Sequence, residues 1–180
     1  MHYDVDPRNR RSIRLKGYDY SRTGSYFVTI VSAGREPLFG HISGDDLVPS
    51  AAGLEVIAAW QALGDRFPTI ALDSFVLMPN HVHLVVTIDR EDRGAETAPL
   101  RNGAPDRPTL GQIVAFLKYE STKRINAKAG TVGARVWQRN YYERVIRNEA
   151  ELALARQYIA TNPLRWEQDH ENPANVKAVT

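Results

Sequence analysis

Cysteine is absent from the 180 residues. That absence removes disulfides, thiolate zinc sites, iron–sulfur clusters and cysteine nucleophiles together, and it is compatible with a reducing compartment. No run of about 18 apolar residues occurs, so no membrane-spanning helix is expected. The N-terminal stretch is polar and arginine-rich with no apolar segment behind it, which points away from a secretory signal. No glycine-rich fingerprint follows any candidate strand, so neither a P-loop nor a dinucleotide fold is supported. A dominant charge sign is lacking too. The 23 Lys+Arg stand against 21 Asp+Glu, a net of +2, and that total taken alone argues against a dedicated nucleic-acid binder.

What is present changes that picture. The length fits one domain able to bury a core without cross-links. The near-neutral total hides two basic segments. One holds Arg8, Arg10, Arg11, Arg14, Lys16 and Arg22 against Asp19 alone. The other runs from Arg107 to Arg147 and carries Lys118, Lys123, Arg124, Lys128, Arg135, Arg139 and Arg144, with only Glu120 and Glu143 opposing them. Acidic residues gather elsewhere, at 45–46, 89–92 and 167–171.

Periodicity and punctuation divide the chain further. Tyr26–Val31 is β-branched and aromatic and reads as a strand. Leu38–Val48 reads as a hairpin turning at Gly44-Asp45. Ala51–Arg66 reads as a helix started by Pro49-Ser50, with Leu54, Ile57, Ala58 and Ala62 as its apolar stripe. Ile70–Met78 and Val82–Ile88 are continuous apolar runs around Pro79-Asn80 and read as central strands. Residues 89–107 are polar and aperiodic, the pattern of a mobile loop. Thr109 caps a helix to about Ala127, on which Lys118 and Lys123 should point outward. A short extended segment lies within Val136–Ile146. Asn148 caps a last helix that Pro163 ends near Asn162. The charged tail after Trp166 is expected to fray. This order implies an α+β sandwich with an antiparallel sheet covered on one face.

The chemistry concentrates in two places. In Met78-Pro79-Asn80-His81-Val82-His83, alternate strand residues share a face, so His81 and His83 project together. Paired imidazoles suit Mn²⁺, Zn²⁺, Ni²⁺ or Fe²⁺, and tolerate Mg²⁺ when oxygens complete the shell. A cupin-like site would need a Glu a few residues on and a further His; Thr87 and Ile88 occupy that region and the other histidines are His2, His41 and His170, so that constellation is incomplete. In the last helix, Tyr158 and Asn162 lie one turn apart, about 40° around the axis. Asn162 offers a carbonyl oxygen to a hard cation, and Tyr158 offers a hydroxyl that could attack a polarised phosphodiester. Tyr141 and Tyr142 are competing nucleophiles. Trp137 is either a stacking platform for bases or part of the core.

Four blocks together resemble the REP-associated tyrosine transposases, relatives of the single-tyrosine HUH transposases of bacterial insertion sequences. They are Arg11–Tyr20 with Tyr26–Thr29, Met78–His83, Val136–Asn148 and Tyr158–Pro163. The resemblance runs from about Arg11 to Pro173. It implies a ferredoxin-like sandwich with a central antiparallel sheet. It makes His81, His83 and Asn162 ligands of Mg²⁺ or Mn²⁺, and Tyr158 the nucleophile. It implies cleavage of single-stranded, hairpin-associated (REP-like) DNA through a 5′-phosphotyrosine, with Arg11, Arg14, Lys16, Lys118, Lys123, Arg124, Arg139 and Arg144 contacting the DNA. The organisation would be a basic segment over 1–24, one HUH-type catalytic domain over 25–166 and a polar tail over 167–180. The expected setting is the cytoplasm, associated with the nucleoid, as a monomer or homodimer, with Tyr158 serving its own or a partner's site. A protein that recognises DNA hairpins without cutting them is the alternative.

Overall fold

The β-branched and aromatic run around Tyr26 forms the first strand, β1 (Gly24–Val31), of a computed structural model that describes residues 19–88 and 108–175. Expectations for Arg11, Arg14, Lys16, the 89–107 segment and the last five residues lie outside the described residues. A hairpin follows, β2 (Gly40–Ser43) and β3 (Asp46–Pro49), turning at Gly44-Asp45. Gly44 sits at φ 61, which glycine adopts without steric cost. Next come α1 (Ala51–Arg66), β4 (Ile70–Leu77), β5 (His81–Ile88), α2 (Leu110–Ala129), β6 (Tyr142–Ile146) and α3 (Glu149–Ala160).

The helix starts follow their side chains. Ser50, Thr109 and Asn148 each accept a hydrogen bond from an amide of the first turn, and Thr109 with Gln112 forms a capping box. Helix α2 stops where Gly130 turns left-handed at φ 67.

The main sheet runs in the order β4-β5-β1-β6, every neighbour antiparallel. Two interleaved βαβ units give this order, so the sandwich is ferredoxin-like, as the resemblance implied. Strands β5 and β1 are central. Strand β4 is an edge strand, which corrects the expectation that both apolar runs lie at the centre, because β6 takes the place beside β1. The edge is marked by a register shift between Leu72 and Ser74.

The two faces of the sheet differ in kind. One presents Tyr26, Val28 and Ile30 of β1 and Val82, Leu84, Val86 and Ile88 of β5, all within the main apolar cluster with α1 and α2. The stripe of α1 that enters this cluster is Gly53, Val56, Ala59, Trp60 and Leu63. Of the expected stripe, Ile57 does pack against this cluster, while Leu54 is 52% exposed and the centre of the buried face is rotated away from it. Two features set the rotation. Trp60 stacks on Phe75 at 5.1 Å. Gly53 lies so close to the chain that a Cβ there would sit 2.1 Å from the Phe39 carbonyl oxygen.

The opposite face is covered as well, by α3 packed against β4, β5 and β6. Single-face coverage is thus also corrected. The segment beyond Trp166 does not fray within the described residues. It makes a 3₁₀ turn over Pro163–Gln168 and another over Pro173–Asn175. Side chains close it: Asn172 Nδ2 donates to Trp166 O at 3.0 Å, and Asn175 Nδ2 to Glu167 O at 2.7 Å and Asp169 O at 2.9 Å. Asn in such local bonds stabilises turns that charge content alone does not reveal.

Candidate active site

The site grows from the register of β1 on β5, which sets Thr29 opposite His83 and Val31 opposite His81. His81 and His83 point to the α3 face, and both are buried. Each ring is fixed from behind. Thr29 Oγ1 lies 2.7 Å from His83 Nδ1, and Asn80 Oδ1 lies 2.8 Å from His81 Nδ1. The Asn80 orientation is settled by its other bonds, because its Nδ2 donates to the carbonyls of Arg35 at 3.0 Å and Glu171 at 2.7 Å. Its Oδ1 must therefore accept from His81 Nδ1–H, which leaves the His81 Nε2 lone pair facing inward.

The two Nε2 atoms face each other at 3.1 Å. Cis ligands on an octahedral cation with bonds of about 2.1 Å lie about 3.0 Å apart, so the spacing fits a shared cation. Burial pushes both imidazoles toward the neutral, ligating form. His81 falls well below its ordinary range, mainly by desolvation and then by the proximity of His83. His83 is pushed down to about 3, again mainly by desolvation.

A third group arrives from the turn after the last helix. Asp169 Oδ2 lies 3.8 Å from His81 Nε2. Ligand-capable atoms of His81, His83 and Asp169 all fall within 4.8 Å of one another. Two imidazoles and a carboxylate match the donor chemistry of a divalent cation. Asp169 was read as part of a solvated acidic tail, and its local sequence carries no ligand spacing that would have marked it. Burial raises its carboxyl above the usual carboxylate range, while its Oδ1 accepts from the Glu171 amide at 2.7 Å.

Tyr158 comes from the last turn of α3, which packs against β5. Its hydroxyl lies 3.4 Å from His83 Nε2 of the same chain. Phe27 holds both rings in place: it stacks on His83 at 5.3 Å and meets Tyr158 edge-on at 5.9 Å. A cavity of about 80 Å³ opens beside them, lined among others by Phe27, His83, Tyr142, Arg144, Tyr158 and His170. Of the competing tyrosines, Tyr142 lines this cavity and Tyr141 packs against the apolar cluster. Asn162 is buried just beyond the end of α3, and its Oδ1 has no hydrogen-bond partner among the described residues.

The basic residues separate. Lys118 is not turned outward. Its Nζ donates to the carbonyls of Gln138 at 2.6 Å and Arg139 at 3.0 Å, and burial lowers its pKa. The lysine stem is long enough to fold back and cap a neighbouring segment, which helical periodicity does not register. Arg124 pairs with Glu120 one turn back at 2.8 Å. Arg144 pairs with Glu151 at 3.3 Å at the cavity wall. Lys123 and Arg139 are exposed. Trp137 belongs to the core: it is 4% exposed, packs on Phe39 at 4.6 Å and donates from Nε1 to Ser121 Oγ at 2.9 Å.

No family model matches the chain. A sheet of this order, with a buried His-x-His pair and a helix-borne tyrosine on the same face, defines the class: an α+β protein with the fold of the REP-associated tyrosine transposases. The structure of such a transposase bound to a REP hairpin superposes with a TM-score of 0.53 at 18% identity, covering 84% of this chain and 73% of that one. In sequence the chain is 38% identical over 173 residues to an uncharacterized protein of Haemophilus influenzae (strain Rd), covering 93% of this chain and 95% of that protein. It belongs to the same family as that protein. Among the described residues, no helix is long and apolar enough to cross a membrane.

Proposed function

We propose that this protein is a metal-dependent DNA strand transferase of the transposase kind, nicking and rejoining single-stranded, hairpin-forming DNA. The observation that carries the reading is the convergence of Tyr158 on the histidine pair, with its hydroxyl 3.4 Å from the same His83 Nε2 that faces His81. The REP hairpin bound by the structural relative supplies the substrate class.

His81, His83 and Asp169 would hold Mg²⁺ or Mn²⁺, and the buried, unpartnered Oδ1 of Asn162 is a further candidate oxygen. The cation would supply Lewis-acid polarisation of the scissile phosphate. The chain's own part is positional. The Phe27 ring packs edge-on against Tyr158 beside His83, which would hold the hydroxyl in place beside the cation and lower the entropic cost of positioning it. In the reaction, the Tyr158 oxygen bonds to phosphorus as the bond from phosphorus to the 3′ oxygen breaks. The phenolic proton is lost, the departing strand gains a proton as a 3′ hydroxyl, and the phosphate stays on Tyr158. Rejoining is the reverse and needs no external energy source.

The exposed Lys123 and Arg139, the cavity-lining Arg144, and Arg124, with Arg11, Arg14 and Lys16 of the basic N-terminal segment, are the candidate backbone contacts. Lys118 would act indirectly, by holding the bend before β6 that carries Arg139. The catalytic domain of this proposal spans 25–166 and draws Asp169 from the tail.

The test is a covalent adduct. The full chain is incubated with hairpin-bearing single-stranded DNA and Mg²⁺ or Mn²⁺, then run on a denaturing gel. A slower band that disappears in Tyr158→Phe is the expected result. If Tyr158→Phe cuts normally and Tyr142→Phe does not, the nucleophile is wrongly placed. Hairpin binding with no adduct under any metal would make the chain a DNA-recognition protein instead.

A further inference from the structure

The Asn80 side chain ties together parts of the chain that lie far apart in sequence. It is fully buried and bonded three ways: Oδ1 accepts from His81 Nδ1, and Nδ2 donates to the carbonyls of Arg35 and Glu171. The Glu171 amide donates to Asp169 Oδ1, and the Glu171 carboxylate pairs with the Arg35 guanidinium. Arg35 itself stands at φ 60, a left-handed conformation that side-chain-bearing residues seldom adopt. One amide therefore sets which His81 nitrogen offers its lone pair and also holds the turn that carries Asp169.

We infer that Asn80, Arg35 and Glu171 form a clasp that docks the 169–171 turn onto the histidine pair, so that metal binding and docking of this turn are one linked equilibrium. Asn80 and Glu171 are positioning residues here, and Asp169 is the ligand they deliver. The inference rests on the metal reading above. Its physical basis is reciprocity. A cation that uses Asp169 binds the docked turn better than the undocked one, so it stabilises docking by the same factor by which docking tightens the cation. The geometry leaves room for that cation. At 3.8 Å the Asp169 Oδ2 to His81 Nε2 separation is too long for a hydrogen bond, yet both atoms face the point where the imidazoles converge. Partners behind metal ligands typically change affinity by about 10–100-fold when removed.

The probe is Mn²⁺ alone, added to the full chain and followed by the electron paramagnetic resonance of the free ion, with amide hydrogen exchange over 169–172 read in parallel. In the wild type, Mn²⁺ should slow exchange across this turn, including the Glu171 amide. Asp169→Asn should weaken Mn²⁺ by about 10-fold or more and abolish the slowing. Glu171→Gln, which leaves the backbone bonds in place, should weaken Mn²⁺ several-fold. Asn80→Asp, which keeps the acceptor toward His81 but removes both donors, should release the turn and weaken Mn²⁺ more than Glu171→Gln does. Melting temperatures without metal show that each variant is folded, and Glu171→Gln keeps the test sound if a buried substitution is not. Mn²⁺ affinity unchanged in Asp169→Asn and Glu171→Gln, or an exchange pattern at 169–172 indifferent to Mn²⁺, overturns the clasp and leaves the histidine site standing. A wild-type chain that binds no Mn²⁺ overturns the metal reading and the clasp together.

Discussion

The two faces of one strand divide the labour in this protein. Along β5, Val82, Leu84, Val86 and Ile88 enter the apolar cluster beneath α1 and α2, while His81 and His83 face α3 and the turn at Asp169. Both faces are buried, but for different reasons. The first is held by contact area alone, and its residues are interchangeable in kind. The second buries polar groups, which is favourable only when each has a partner, and here Thr29, Asn80 and the opposing ring supply them. The apolar packing therefore lies mainly on one face and the buried polar groups of the proposed site on the other, alternating residue by residue along the strand.

Adjacent substitutions break this comparison most directly. Leu84→Ala should cost about 2–5 kcal/mol of unfolding free energy, as large-to-small changes in packed cores do. Chemical denaturation would measure it, and in whatever fraction stays folded the Mn²⁺ affinity should be that of the wild type. His83→Ala, one residue away, should abolish the rise in melting temperature expected with Mn²⁺, since one of the two imidazoles proposed as ligands is gone. If the two variants lose metal binding equally at matched stability, the faces are not separate.

Smaller changes sharpen the same contrast. Gly53→Ala tests the close approach of α1 on the apolar face. With a Cβ 2.1 Å from the Phe39 carbonyl oxygen, the helix must shift, at a cost of about 1–3 kcal/mol, visible as a lowered denaturation midpoint with the proposed adduct formation unchanged. On the other face, Asp73 sits at the β4 register shift and receives two hydrogen bonds from Arg156 of α3, at 2.9 and 2.6 Å. Asp73→Asn should have the smallest effect, because the Arg156 side chain is exposed and such a pair is screened by solvent.

That last effect has a defined pH dependence. The Arg156 hydrogen bonds hold the Asp73 carboxyl below its ordinary value of 3.8. A depressed folded-state pKa gives stability that is complete above the unfolded value and fades as the pH drops through the folded one. The gap between wild type and Asp73→Asn should therefore be full at neutral pH and shrink below about pH 4, as urea denaturation at several pH values would show. A gap that widens in acid would mean the Arg156 pair is not its source.

Much of this was legible before any fold was drawn. The starts of three helices were readable at Ser50, Thr109 and Asn148 because capping is a contact between near neighbours. The common face of His81 and His83 was readable because strand geometry alternates every residue. The face of α1 was misread because apolar character alone could not reveal that Gly53 would be pressed against Phe39 or that Trp60 would stack on Phe75. Lys118 was misread because its ammonium answers two carbonyls twenty and more residues away.

By itself, then, the sequence determined the local elements, the pairing of the two histidines on a shared face and the tyrosine one helical turn before Asn162. These depend on interactions within a few residues, which the chain encodes wherever it goes. Only the tertiary structure decided that Tyr158 meets His83, that Trp137 is core, and that Asp169 leaves the acidic tail to face His81. Such contacts join segments with no periodic relation to one another. They exist only once the apolar face has packed, laid α3 across the other side of the sheet and brought the 169–171 turn back beside the histidines.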